Sequence, residues 1–385
     1  KKQVDQSKKP DLDADPADPA VRKMLLDRHA DLQKQIMASG FDFADTLYHD
    51  NPNWLGISAL AYQNMDWITE GGIRFIDTYS ESPFFLYFAT TLPHNPTDPD
   101  HSWKSDPRIT PVGILEKAPE VQPARSTLSE RVKDAGLSGT GRENLLWVDD
   151  ALGALFARLE ANGKIDNTII FFFNDHGQTS KGTLYQGGIR SQAFVWRSEG
   201  FNCGSICDAP VSNIDFLPTM LELAGRKNTK DLVDGYSFAS MLDAGDYTPR
   251  DSMYFELGFA RAVVKGGYKY LAVRYPEYSS KLTMDERKEL LDEYNTMRES
   301  FGGSAISHDH TLPFGHLEML PGGGGAEHAT YGKKAGFFDA DQLYDLHNDP
   351  TEENNLSSHP DYQPKLQEMR AELRKYTVLL PGKFD

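Results

Sequence analysis

An apolar run of five residues, Ile169-Ile170-Phe171-Phe172-Phe173, stops abruptly at Asn174-Asp175-His176-Gly177. A continuous Ile- and Phe-rich run reads as a strand buried on both faces of a parallel sheet. Open α/β sheets place their ligand sites at the carboxyl ends of such strands. Lys181, the pair Gly187-Gly188 and Arg190 follow at once. A carboxylate, an imidazole and an ammonium at one strand end point to a metal ion holding an anionic substrate. Upstream, Leu145, Val148, Leu152, Leu155, Phe156 and Leu159 fall on one face of a helix expected over 143–162. Gly163 is a natural stop. The order helix, turn, strand, loop is half of a βαβ unit.

The chain of 385 residues is long enough for one large domain and a smaller one. The texture divides it into an α/β region at 1–248, of which 1–20 reads as loop or disorder, and a small α+β region at 249–385. A net charge of −17 argues against nucleic acid as a partner. It also requires that an anionic substrate be drawn in by a local cation against the overall field. No apolar run approaches the roughly 18 residues of a membrane span. Cys203 and Cys207 are the only cysteines, and with no histidine nearby they read as free or structural thiols. The polar start, with neither an initiator Met nor a signal peptide, leads us to expect a chain that begins in mid-fold.

Along the chain, helices are expected near 29–37 and 67–77, with a turn into a strand at 40–43. Residues 83–91 read as a second buried strand, which delivers His94 to its carboxyl end between Pro93 and Pro96. Residues 96–140, rich in Pro, Asp and Ser, read as a surface excursion. A short strand is expected at 193–196 and a capped helix at 212–224, ended by Gly225. The pieces 252–255, 261–264 and 268–273, joined by glycine turns, suit a small antiparallel sheet. A charged helix over 284–300 precedes a Gly- and His-rich loop at 301–335. The chain closes in a helix with an apolar face of Leu366, Met369, Leu373 and Tyr376. His308, His310, His316 and His328 read as solvated loop residues, not a second metal site.

These segments resemble, in order, the motifs of the formylglycine-dependent sulfatases of the alkaline phosphatase superfamily. Residues 83–96 look like the aromatic strand ending in Pro-His-x-Pro, and 167–177 like the Asn-Thr strand ending in Asp-His-Gly. Residues 181–190 are similar to the Lys-Gly-Thr-x-Tyr-x-Gly-Gly-x-Arg signature. Residues 214–225 look like the helix after the sheet. Leu343-Tyr344-Asp345-Leu346, with Asp349-Pro350, Glu352 and Asn355-Leu356, looks like the C-terminal strand and turn. Asn174, Gln186 and Gln192 stand where Ser, Glu and Pro are usual.

The resemblance implies an α/β fold: an alkaline-phosphatase-like, mostly parallel sheet flanked by helices, with a smaller C-terminal antiparallel sheet plus helix. It implies hydrolysis of a sulfate ester, of a sulfated small molecule or carbohydrate, with one Ca²⁺ and a formylglycine nucleophile. Asp175 and His176 would be metal ligands. Lys181 would bind the sulfate oxygens, and His94 would bind substrate and give a proton to the departing alcohol. Gly187 and Gly188 would allow a tight turn or close backbone approach, and Arg190 would be buried in a supporting ion pair. Secretion or periplasmic export is implied in the same way. The family's paired aspartates and Cys-x-Pro-x-Arg are absent from this sequence. The nucleophile and half of the metal ligands are therefore expected in a part preceding residue 1, and the chain alone is expected to be inactive with weak metal affinity. A phosphate or phosphonate ester hydrolase of the same superfamily, and a non-catalytic remnant or glycan-binding protein, remain alternatives.

Overall fold

A computed structural model describes residues 12–385 apart from 202–203, 227–232, 244, 246, 301–304, 306–309, 312–329, 331, 383 and 385. The fold is α/β, with helices and a small antiparallel C-terminal sheet. Two compact units divide the chain between Thr168 and Ile169.

The first unit is built on helices. α1 (Pro19–Met37) begins ten residues earlier than the apolar pattern suggests, because Asp18 caps it, accepting from the amides of Ala20 and Val21, and Pro19 takes the first turn. α2 (Met65–Thr78) is capped by Asn64, whose Oδ1 accepts from Trp67 N at 3.1 Å. A two-residue hairpin, β1 (Ile109–Thr110) with β2 (Gly113–Ile114), precedes α3 (Leu128–Asp134) and α4 (Asn144–Ala161). α2 and α4 pack closely: a side chain at Gly72 would stand 2.9 Å from Leu155 Cδ2. Met65, Ile68, Trp147 and Ala151 fill one end of this core, and Phe75, Ile76, Leu155 and Leu159 the other. At its centre Arg125 pairs with Asp66, donates to Asn64 Oδ1 at 2.7 Å, and lies 4.6 Å over the Trp147 ring.

Two expectations for this unit are corrected. The segment 83–91 is extended, but no strand ladder covers it among the described residues. Phe84, Leu86 and Phe88 pack inward, whereas Phe85 and Tyr87 are 60% and 61% exposed. It is a one-sided segment, not a strand buried on both faces. The excursion at 96–140 is not wholly superficial either: Trp103, Leu128 and Val132 are core residues.

The second unit opens with β3 (Ile170–Phe173), a turn-rich stretch, the short α5 (Gln186–Ile189) and β4 (Ala193–Trp196). β3 pairs with β4 in antiparallel register, Phe172 opposite Phe194, their rings stacked at 4.9 Å. Every ladder among the described residues is antiparallel, and β3 is half-buried throughout. The expected parallel pairing of β3 is thus replaced by a hairpin-like return whose aromatic contact, with Phe171 and Phe173 on Phe216, uses the same apolar side chains. α6 (Phe216–Leu223) follows a reciprocal cap between Ser212 and Asp215 and ends before Gly225 at φ +86°, as expected. α7 (Ala239–Leu242) leads into the C-terminal sheet.

That sheet has the order β5 (Met253–Leu257), β6 (Ala260–Lys265), β7 (Tyr268–Val273), β8 (Asp341–Asp345). Strand alternation divides it into two faces. Val263, Tyr270 and Leu343 face the C-terminal helix α10 through Leu366, Met369 and Leu373, after the intervening α8 (Glu277–Ser280) and α9 (Met284–Ser300) and with α10 spanning Gln363–Thr377. Ala260, Ala262, Leu271 and Val273 face Leu184, and Tyr344 faces Tyr185 and Phe337. Cys203, His308, His316 and His328 lie outside the described residues. Cys207 is a free, exposed thiol 2.8 Å from Met241 Sδ.

On α10, Glu372 is nearly buried. Burial pushes its carboxyl up, but hydrogen bonds from Lys375, Ser252 and Lys265 outweigh this and hold it at about 2, below the ordinary 4.5. A depressed carboxyl contributes stability that is present above the unfolded value and lost as pH falls through the folded one. Glu372→Gln should therefore cost on the order of 1–3 kcal/mol in urea unfolding at pH 7. The gap from wild type should close as pH falls from about 4.5 to about 2; a pH-independent gap would rule this origin out.

Candidate functional site

The strand end of β3 delivers its polar residues into a turn that folds back on itself. Asn174 N donates to Gln192 O at 3.0 Å, Gly177 N to Gly188 O at 2.9 Å, and Ser180 N to Gly187 O at 3.3 Å. Two backbone runs, 174–180 and 187–192, thus lie directly against each other. This contact needs glycine for space rather than for an unusual φ. A Cβ at Gly177 would collide with the carbonyl of Gly187, and one at Gly188 with those of Ser180 and Thr183. The close approach expected at Gly187 and Gly188 is present.

On this platform Asp175 and His176 sit side by side, with Asp175 Oδ2 3.3 Å from His176 Nε2. The carboxylate is 82% exposed and the imidazole 26%. His176 Nδ1 lies 2.7 Å from Gly177 O, which can only accept, so Nδ1 carries a proton and Nε2 is the ring nitrogen turned toward Asp175. The Asp175 carboxylate and the His176 Nε2 are directed to one place, and with Nε2 unprotonated they would form a donor pair for a cation. Among the described residues no third His, Cys, Asp or Glu joins them.

Lys181 occupies the turn five residues on. It is half-buried and has neither a hydrogen bond nor a carboxylate partner among the described residues. The turn behind it is fixed by Thr183, whose hydroxyl donates to Ser180 O at 2.7 Å, and by the buried Tyr185. Tyr185 Oη donates to Gln342 Oε1 at 2.7 Å, and burial pushes its hydroxyl pKa well up. The first amide of α5, Gln186 N, donates to Glu352 Oε2 at 2.5 Å, while Glu352 Oε1 accepts from Lys269 Nζ at 2.7 Å. Burial pulls the Lys269 ammonium down to about 8 against the opposing pull of Glu352. Arg190 departs from expectation: it is exposed and makes no ion pair among the described residues, because the chain turns outward after Ile189 into β4.

His94 belongs to the first unit, and its surroundings are described there. Nδ1 lies 3.3 Å from Asn95 O and Nε2 3.4 Å from Asn51 Nδ2. The carbonyl selects the Nδ1–H tautomer, leaving Nε2 to accept from the Asn51 amide or to carry a second proton. The His94 carbonyl accepts from Gln63 Nε2 at 2.8 Å, and Gln63 Oε1 accepts from Thr91 Oγ1 at 2.5 Å. Gln63 is fully buried, so its amide ties the His94 loop to the start of α2.

Gln63, Asn51 and Lys269 were not visible as site residues. A single glutamine before a helix carries no periodic signal. A lysine at an inward position of β7, between Tyr268 and Tyr270, was the one legible anomaly.

A model of the family described as Sulfatase matches residues 27–226, more than half of the chain. An ulvan-active sulfatase of Formosa agariphila is 26% identical over 249 residues, 62% of this chain and 37% of that protein. The N-acetylglucosamine-6-sulfatase of Bos taurus is 28% identical over 229 residues, 50% of this chain and 38% of that one. Among solved structures, a sulfatase from work on glycosaminoglycan metabolism by Bacteroides thetaiotaomicron superposes with a TM-score of 0.48. It is 22% identical, over 81% of this chain and 54% of that chain. The matches to the two curated relatives thus span less than two fifths of their lengths.

Gly188→Ala should cost about 1–3 kcal/mol in denaturant unfolding, since its Cβ meets backbone that cannot rotate away. Gln63→Met should cost about 1–3 kcal/mol by leaving the His94 carbonyl and the Thr91 hydroxyl without their partner. It should also raise amide exchange at 91–95; an unchanged rate there would detach Gln63 from that loop. The matched family model covers the helices and the strand-end turn just described, and the chain belongs to the sulfatase family.

Proposed function

We propose that this chain carries part of the active site of a sulfuric ester hydrolase acting on a sulfated carbohydrate. The observation that carries this reading is Lys181, a half-buried cation in the turn with no carboxylate partner among the described residues, in a chain of net charge −17. Leaving an ammonium unpaired beside so much negative charge makes sense if an anion from outside completes it. Lys181 then binds sulfate oxygens and stabilises the charge that moves toward the leaving oxygen.

Asp175 and His176 would supply two donors to one divalent cation, Ca²⁺ by the family resemblance. The carboxylate suits a hard cation well and the imidazole less so, and two donors are a partial cage. Such a cation, when bound, supplies Lewis acidity and a template for the ester. His94 holds a proton at Nε2 for the alcohol oxygen as the S–O bond breaks, a task matched to imidazole. The nucleophile, a formylglycine by the same resemblance, is provided outside these residues, since the sequence holds no Cys-x-Pro-x-Arg. We place the protein outside the cytoplasm on that resemblance too. No helix among the described residues is long and apolar enough to cross a membrane.

Titration of the 385-residue chain with inorganic sulfate in the presence of Ca²⁺ tests this reading. Lys181→Ala should weaken sulfate at least about tenfold, the effect of one lost charge-assisted hydrogen bond. Equal affinities would remove Lys181 from the anion site. Inorganic phosphate bound much more tightly than sulfate would favour the phosphate-ester alternative.

A further inference from the structure

The buried ion pair Lys269–Glu352 is unusual in what it spends its charge on. Lys269 is 0% and Glu352 2% exposed, and the two oxygens of Glu352 have one described partner each, Lys269 Nζ and Gln186 N. A buried pair is weak evidence for stability, since apolar residues of the same volume often serve as well or better. Its backbone is also held awkwardly: Glu352 has φ +59°, a region that non-glycine residues seldom adopt. Strain of this kind persists where the surroundings impose it, and such residues cluster at functional sites.

The surroundings do impose it. Glu352 N donates to Asp349 O, the Asp349 carboxylate accepts from the amides of Glu353 and Asn354, and Asn355 Oδ1 accepts from Leu343 N of β8. Lys269 is fixed in β7 on the face shared by Leu271 and Val273. Both charges are therefore rooted in the C-terminal sheet. What they reach out to hold is a single amide, the first of α5, which has no partner within that helix. It stands immediately after Tyr185, at the far end of the turn that carries Lys181.

We infer that Glu352, held in place by Lys269, is the positioning residue of the 177–190 turn, so that the C-terminal sheet sets where Lys181 meets its anion. The second half of this statement rests on the reading of Lys181 given above; the first half does not. A charge-assisted bond to the amide fixes the turn more firmly than a neutral acceptor, and the opposing lysine keeps the carboxylate from turning away.

Three variants of the 385-residue chain test the clamp. Gln186→Pro removes the donated N–H, together with the glutamine side chain, and turns the ring Cδ toward Glu352 Oε2, so it breaks the clamp; proline is otherwise tolerated at the first helical position, and Tyr185 already has the extended backbone (ψ 157°) that precedes one. Lys269→Met with Glu352→Leu removes both charges and the acceptor, whereas Lys269→Met with Glu352→Gln removes the charges and keeps an acceptor. Hydrogen exchange at 177–190 should quicken about tenfold or more in the first two, as expected for one lost bond, with β5–β8 unchanged. The Gln double variant, with a neutral acceptor that no lysine holds, should lie between these two and wild type. Inorganic sulfate affinity should fall in the same two variants and recover in part in the third. Wild-type exchange at 177–190 in Gln186→Pro, or equal quickening throughout the sheet, overturns the inference. A wild-type chain that binds no sulfate sinks the Lys181 reading alone, and the exchange rates still decide the clamp.

Discussion

A charge taken out of water has to be met by another charge or by several hydrogen bonds, and each unit of this protein is arranged around one such demand. In the first unit the Arg125 guanidinium is met by Asp66, Asn64 and the face of Trp147. Asn64 in turn donates to the carbonyls of Pro107 and Ile109 and caps α2. One cation therefore joins the start of α2, the first turn of α4 and, through Asn64, the hairpin β1–β2. In the second unit Lys269 and Glu352 meet each other and, through Gln186, join the sheet to the turn of the candidate site. Apolar burial supplies most of the favourable free energy, but these contacts decide which surfaces meet.

Much of this was legible because it is local. Helix α4 follows from the spacing of its apolar residues, and α6 from a Ser–Asp cap ahead of it and a glycine behind it. The close approach at Gly187 and Gly188 is one of the two roles, beside a tight turn, that adjacent glycines serve. The three strands β5–β7 follow from alternation between glycine turns. The candidate site was legible for a different reason: its residue types sit within a short stretch, at a strand end, where their chemistry is readable from order alone.

What failed to be read depends on partners far away in sequence. The aromatic run of β3 suits a two-sided parallel strand as well as a one-sided antiparallel one, and only the position of β4 decides between them. Residues 83–91 alternate in burial because α2 and α4 lie on one side of them, which no local pattern reveals. Arg190 was assigned an ion pair that the outward course of the chain denies it. Gln63 and Glu352 act on loops 31 and 166 positions away, and single polar residues of this kind leave no periodic trace.

The extended segment 83–91 has a further consequence. Its inner row is anchored in the core, its outer row presents Phe85 and Tyr87, and no ladder covers its edges among the described residues. An uncovered, aromatic, extended run is a template on which another strand can be laid, and native proteins usually cover or charge such edges. Here the defence is diffuse: an overall charge of −17 keeps copies of the chain apart. That protection is electrostatic and weakens with ionic strength, so the colloidal behaviour of this chain is tied to salt through nine residues that carry no charge of their own.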